Sequence, residues 1–472
     1  MIRPWLTRHP FVVGFAVALG AAILAVPAVA PTAGAASNDR RPVSPPNVVF
    51  VMLDDVSTGY MDAMPNVSRR IISNGTEYVN SVIPTSLCCP SRAATLTGKL
   101  AHTTGVYGNG ADHGAWQTFQ AQEGDTLATN LHQNGYTTAL IGKYLNGFQK
   151  SPDGYTPAGW DTFIGFRTTD YYNWSTGGTV NETFGDSPED YSTDVLSDYA
   201  VDFVNNANPD KPLFLYYSPF AAHKPFIPAP RHEGTWHNES LYGAFNEKNM
   251  SDKPQFMQDK EKLVRAREVR NQRLRHEMLM SVDEGFARIW DALADRVDNS
   301  IFVLMGDNGW MQGDHRMWAK DMPYRHSSGV PMAVRWDGHL ATGVSERLTA
   351  NIDLTATIAE ATGTTMDTEG RSVISTHRTG VVLEQMDSLL SLPTTGARPD
   401  RSHPAYCGYR TARYLYVEYT QAEGRELYDY SVDPNELHNK VNRDAYARVV
   451  ERLRGKAQVA CSPTPYGFAW GE

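Results

Sequence analysis

The sequence predicts an α/β fold, a layered domain built on a largely parallel central sheet, followed by a small C-terminal α+β subdomain. Three observations carry this. Four apolar, β-rich runs each lead into polar or charged residues, and a continuous apolar run is what a strand buried on both faces of a parallel sheet requires. Helical stretches lie between those runs, the alternation expected of layered α/β domains. After about Gly370 the texture changes, and short aromatic-rich segments replace the longer alternation.

The first strand, Asn47 to Leu53, ends in Asp54-Asp55. Thr137 to Gly142 ends in Lys143, and Leu213 to Tyr217 leads into a loop containing His223. Ile301 to Met305 ends in Gly306, Asp307 and Asn308. Asp125 to Gln133 reads as a helix with Gly135 as its stop. A long helix is expected from about Lys260 to Ala294, with Val282, Phe286, Ile289, Trp290 and Leu293 as its apolar stripe. Ligands of open α/β sheets bind beyond the carboxyl ends of the strands. That rule alone gathers Asp54, Asp55, Lys143, His223, Asp307 and Asn308 at one edge. Towards the C-terminus, Ala412 to Tyr419 and Glu426 to Tyr430 read as short strands, and Asp433-Pro434-Asn435-Glu436 as a turn and helix start.

A length of 472 residues suits one large domain plus a smaller one, and the net charge of −10 argues against a general nucleic-acid binder. Arg3 and Arg8 precede an uncharged apolar stretch, Phe11 to Ala30, followed by small residues. This reads as an export signal, residues 1–36, removed at Ala33-Gly34-Ala35 or Gly34-Ala35-Ala36. The stretch is also long enough for a membrane anchor, but Pro27 and the alanine-rich exit favour cleavage. The mature chain is therefore expected outside the cytoplasm, with no stable membrane insertion. Residues 37–46 read as a linker, 47–370 as the catalytic domain and 371–472 as the small subdomain.

The run Leu87 to Gly98, L-C-C-P-S-R-A-A-T-L-T-G, is the most informative in the chain. Pro90 suits the first helical position. Cys88 then lies at the helix start, where free N–H groups and the dipole favour an anion, and Arg92 follows four residues later. A disulfide within the Cys88-Cys89 pair is disfavoured by its geometry.

Cys88, Pro90, Ser91, Arg92, Leu96, Thr97 and Gly98 complete C-x-P-S-R-x-x-x-L-T-G, which resembles the signature of the type I sulfatases. Gly135 to Asn146 resembles the second sulfatase signature, and Glu426 to Asn439 resembles the C-terminal part of the family. The resemblance implies an alkaline-phosphatase-like fold. It implies oxidation of Cys88 to Cα-formylglycine by a formylglycine-generating enzyme, the hydrated aldehyde being the nucleophile. It places one Ca²⁺ among Asp54, Asp55, modified Cys88, Asp307 and Asn308; hard oxygen donors suit Ca²⁺ or Mg²⁺ rather than zinc or copper. Arg92, Lys143 and Lys320 are implied to stabilise charge on the sulfuryl oxygens, Asp307 to accept the nucleophile's proton, and His223 to protonate the leaving group. With Cys88 modified and Cys89 buried, Cys407 and Cys461 become the natural disulfide partners.

One departure matters. Where many sulfatases read G-K-W-H, this chain has Leu145 in place of the histidine. The K-Y-L-N wording and the paired cysteines look more like the glucosamine-6-sulfatase and heparan-sulfate 6-O-endosulfatase branch, so a sulfated sugar such as glucosamine 6-sulfate, or an aryl sulfate, is the expected substrate. The rivals are a phosphodiesterase or phosphonate monoester hydrolase of the same superfamily, and a non-catalytic binder of sulfated glycans. The arginine-rich stretch Arg265, Arg267, Arg270, Arg273 and Arg275, mixed with Glu261, Glu268 and Glu277, reads as the wet face of a helix rather than a polysaccharide grip.

Overall fold

The four strands expected from the sequence lie side by side at the centre of a nine-stranded sheet. The computed structural model describes residues 44–110, 112–238, 240–388, 403–420 and 424–471; the stretch expected to be an export signal, residues 1–36, and most of the expected linker lie outside the described residues. Across the sheet the strands run Gly343–Ala350, Thr76–Val82, Met332–Trp336, Ser300–Gly306, Asn47–Leu53, Leu213–Ser218, Thr137–Gly142, Thr162–Thr168 and Ser175–Gly178. The five from Ser300–Gly306 to Thr162–Thr168 are mutually parallel. Met332–Trp336 and Ser175–Gly178 run antiparallel to their neighbours. Among the described residues no helix is long and apolar enough to cross a membrane.

Why the central strands are apolar throughout is visible in Asn47–Leu53. Val49, Val51 and Leu53 join one core cluster, and Val48, Phe50 and Met52 join the other. The first cluster is closed by the helices Ser192–Asn206 and Arg265–Leu293, through Leu196, Phe203, Val282, Phe286 and Ile289. The second is closed by Cys88–Thr97, Leu127–Gln133 and Asn351–Thr362, through Ala93, Leu96, Leu131, Leu354 and Ile358. Helices on both faces of a parallel sheet give the expected layered architecture.

The second sheet is antiparallel, in the order Val381–Gln385, Tyr406–Arg410, Tyr414–Tyr419 and Arg425–Asp429, with the helix Ala447–Ala460 after it. Its Leu383, Leu415 and Val417 share a core cluster with Val82, Met311 and Ile352 of the main layer. Cys407 and Cys461 form the disulfide, tying the helix end to the sheet.

Three local expectations need correction. No helix starts at Asp433: its carboxylate instead accepts from the N–H groups of Leu437 (3.0 Å) and His438 (2.8 Å), and Glu436 is left-handed at φ +57°. The C-terminal helix begins at Ala447. The long helix starts at Arg265, not Lys260, because the Asn246 side chain takes both the N–H and the carbonyl of Leu263, each at 2.8 Å. Pro90 sits third in its helix, with Leu87 as the N-cap; a missing N–H costs nothing there either, since the first turn has no intrahelical acceptors for its donors.

Candidate active site

Strand ends build the site. Asp54 and Asp55 follow the central strand, Asp307 and Asn308 its neighbour, Lys143 the next but one, and His223 lies in the loop after Leu213–Ser218. Cys88 opens the helix above this edge. The structure brings every one of these residues, with Arg92 and Lys320, into one cluster, buried except for the partly exposed His223 and Lys320. Gly142 allows part of it: at φ +117°, a Cβ there would sit 1.9 Å from the Ser218 carbonyl oxygen. That same carbonyl accepts from Lys143 N–H at 2.7 Å, fixing where the lysine leaves the sheet.

The Cys88 sulfur lies 3.3 Å from Lys143 Nζ and 2.7 Å from Lys320 Nζ. Lys143 also donates to Asp54 Oδ2, and Lys320 to Asp55 Oδ1. Arg92 passes beneath, donating from Nε to Asp307 Oδ2 at 2.8 Å and from Nη1 to the Lys143 carbonyl and Ser218 Oγ, both at 2.7 Å. Asp307 Oδ1 accepts from the N–H groups of Asp55 (3.0 Å) and Asn308 (2.7 Å). Asn308 Nδ2 donates to Asp55 Oδ1 at 2.7 Å. Lys320 rides on a strained loop: Ala319 and Asp321 on either side of it are left-handed, at φ +80° and +81°.

His223 places Nε2 3.6 Å from Asp55 Oδ2 and Nδ1 2.5 Å from the Lys224 carbonyl. A carbonyl only accepts, so Nδ1 carries the hydrogen and Nε2 faces the cluster. Burial, with Lys143 and Lys320 nearby, pushes the His223 pKa well below its usual value against the pull of Asp55. Burial and the Asp307 charge raise Asp54 to about 7 despite Lys143 and Arg92. Asp55 is buried too, yet Lys320, His223 and Lys143 hold its pKa below the usual carboxylate range. Burial raises the Cys88 thiol, partly offset by the two lysines.

Asp54 Oδ1, Asp55 Oδ2 and Asn308 Oδ1 are buried without a hydrogen-bond donor among the described residues. One ligand atom each from Asp54, Asp55, Cys88 and His223 lies within 4.8 Å of the others. Buried acceptors are normally satisfied, so three unpartnered oxygens on two adjoining strand ends fit a hard divalent cation. A cleft of about 260 Å³ opens beside this cluster, lined by Lys143, Leu145, Asn146, Gln149, Phe220 and His223 among others.

Two family models match the chain: sulfatase over residues 46–364, and N-sulphoglucosamine sulphohydrolase, C-terminal, over residues 313–460. The chain belongs to the sulfatase family. It is 30% identical over 352 residues to the N-acetylglucosamine-6-sulfatase of Capra hircus, covering 70% of this chain and 62% of that protein. It is 25% identical over 503 residues to the N-acetylglucosamine-6-O-sulfatase of Bacteroides thetaiotaomicron, covering 89% and 87%. The extracellular sulfatase SULF-1 homolog of Drosophila melanogaster is 28% identical over 357 residues, 72% of this chain but 31% of that protein. The chain thus spans less than half the length of the extracellular sulfatases it matches.

Solved structures share the fold. A protein in complex with its substrate D-glucosamine-2-N,6-O-disulfate superposes at a TM-score of 0.72 and 20% identity, over 89% of this chain and 98% of that one. The phosphonate monoester hydrolase of Agrobacterium radiobacter does so at 0.66 and 18%, over 88% and 95%. Within this sulfatase fold, Leu145 is buried in the apolar core. Its neighbour Asn146 is tied back through its N–H to Cys89 Sγ at 3.1 Å.

Sequence reasoning missed Ser218, which accepts from Arg92, and Asn109, whose Oδ1 accepts from Cys89 N–H at 2.9 Å. Ser218 directly follows the expected strand Leu213 to Tyr217 at the same edge, a signal that was available; nothing singles out Asn109. It also misread Arg275. Arg265, Arg267 and Arg270 are exposed, but Arg275, Glu268 and Glu277 are fully buried.

Proposed function

We propose that the chain is an exported, calcium-dependent sulfuric ester hydrolase that acts on a sulfated sugar, glucosamine 6-sulfate or a close relative, through formylglycine made from Cys88. The observation that carries this reading is the placement of two ammonium groups against Cys88, with a carboxylate oxygen each of Asp54 and Asp55 within 4.8 Å and unpartnered acceptors on Asp54, Asp55 and Asn308 at the same edge of the sheet. The N-acetylglucosamine-6-sulfatase relatives support the sugar assignment.

Asp54, Asp55, Asp307 and Asn308 would hold the calcium ion beside residue 88, where it would supply Lewis acidity. The formylglycine hydrate would supply one hydroxyl for attack at sulfur and a second for release of sulfate. Lys143 and Lys320, within 3.3 Å of the nucleophile's position, donate to the oxygens of the transferring group as charge builds there. Arg92 Nε, 2.8 Å from Asp307, stabilises the carboxylate assigned to receive the nucleophile's proton. His223, assigned to protonate the leaving oxygen, turns Nε2 toward the cluster with Nδ1–H anchored on Lys224, and takes up at Nε2 the proton it delivers, with the Lys320 ammonium as a second donor beside it. The apolar and amide-bearing cleft beyond Lys143 and His223 takes the sugar.

Parallel assays on glucosamine 6-sulfate, an aryl sulfate and an aryl phosphodiester test the reading. Sulfate release with little phosphodiester cleavage is expected; a preference for the phosphodiester contradicts it. Binding of sulfated glycans without any turnover by formylglycine-bearing protein also contradicts it.

A further inference from the structure

We propose that Arg275, a fully buried guanidinium on the long helix, is a positioning residue for the divalent-cation site, holding the carbonyl of Asp55 and through it the aim of the Asp55 carboxylate. The inference rests on the cation reading given above and extends it to a residue outside the ligand set.

Helical spacing explains how an arginine comes to be buried. Val282, Phe286, Ile289 and Leu293 form the stripe that faces the sheet; continued towards the N-terminus at the same spacing it passes through Leu279, Arg275, Gln272 and Glu268. All eight are buried. The stripe that is apolar beneath the sheet turns polar where the helix passes the strand ends.

Burying a guanidinium is costly unless its donors are taken. Here Nη1 and Nη2 are taken, by the site rather than by a carboxylate, while Nε has no hydrogen-bond partner among the described residues. Nη2 donates to the Asp55 carbonyl, and Nη1 to Tyr60 Oη at 2.7 Å. Tyr60 passes the chain on to Gln312 Oε1 at 2.5 Å, and Gln312 Nε2 returns to the Glu268 carbonyl at 3.4 Å. The guanidinium carbon lies 4.5 Å from the Tyr60 ring centre, 5.4 Å from that of Trp310 and 5.8 Å from that of Phe226. This cage fixes it laterally.

What it holds needs holding. Asp55 is left-handed at φ +61°, an unfavourable conformation for a residue with a Cβ. Its N–H donates to Asp307 at 3.0 Å, its Oδ1 accepts from Asn308 and Lys320, and its Oδ2 is unpartnered. With the N–H fixed by one proposed ligand residue, the carbonyl is the remaining backbone handle, and Arg275 occupies it. Outer partners of metal ligands tune affinity in this way.

Calcium titrations of chelator-treated protein, followed by thermal shift and calorimetry, test the proposal with wild type, Arg275→Met and Arg275→Lys. Arg275→Met, which keeps much of the volume, is expected to weaken calcium binding about 10- to 100-fold with its far-UV spectrum unchanged. Arg275→Lys should recover part of the loss. A folded Arg275→Met protein that binds calcium within about twofold of wild type overturns the proposal. Should that variant fail to fold, Tyr60→Phe removes only the phenol that orients Arg275. It is expected to weaken binding about fivefold, and unchanged affinity there overturns the proposal equally. If wild type itself shows no calcium-linked shift, the cation reading falls and this inference with it, whereas wild-type binding with unaffected variants refutes Arg275 alone.

Discussion

Among the described residues, the buried cluster of ionisable side chains at the carboxyl edge of the main sheet contrasts with a second one where the small sheet meets it. In the second, the Glu426 carboxylate accepts from Tyr324 (2.8 and 3.0 Å), Tyr419 (3.0 Å) and Tyr428. Lys253 donates to Tyr428 at 2.8 Å and to the Glu436 carbonyl at 2.5 Å, and His315 pairs with Glu247 at 2.6 Å. Nearly every polar atom there has its partner, one Glu247 oxygen excepted. At the sheet edge, by contrast, three acceptors are left over beside two ammonium groups that crowd a thiol. Burial and charge are alike in the two places; saturation differs. A saturated network fixes structure, and an unsaturated one is poised for something else.

Substitutions should separate the clusters by what they damage. Cys88→Ala should lower turnover on the order of 10⁴-fold or more while leaving the melting temperature nearly unchanged; retained activity would break the comparison at its centre. Lys143→Ala or Lys320→Ala should each cost about 10²- to 10³-fold in kcat/KM, measured on the same sulfate ester. At the seam, Glu426→Gln should instead cost about 1–3 kcal/mol of stability by denaturant unfolding, with kcat of the folded fraction preserved. A large loss of kcat there would mean that the seam is not merely structural.

The smallest effect expected is in pH dependence. Burial opposes the charged form of His315, but hydrogen bonds to Glu247 and Glu436 override it and raise the pKa to about 9. The folded state therefore holds a proton that the unfolded chain releases near pH 6.5. This contribution is complete below about pH 6.5 and is lost as pH rises through about 9. His315→Gln should flatten the fall in melting temperature across that window; an unchanged slope argues against the charged pair.

Much of this was legible because burial on both faces writes itself as continuous apolar sequence. Asn47–Leu53 and Ser300–Gly306 are buried at every position, so their ends, and with them Asp54, Asp55, Asp307 and Asn308, were placed from the sequence. Strands nearer the sheet edge mix exposed and buried positions, as in Gly343–Ala350, and escaped notice. Lys320 was identified only by its neighbours in the motif, since its left-handed loop carries no periodic signal. Arg275 was misread because charge suggested water where the helical stripe, followed far enough, pointed inward. The abortive helix at Asp433 was a capping residue bonding two backbone N–H groups of a loop instead, a use of the same side chain that composition does not distinguish.

Peptide mass spectrometry across Leu87 to Arg92, on protein from the native producer with measured turnover of a sulfate ester, addresses the central claim most directly. The account predicts the mass of formylglycine at position 88 in the active fraction. An intact cysteine thiol there in protein that turns over the ester at full rate would contradict it.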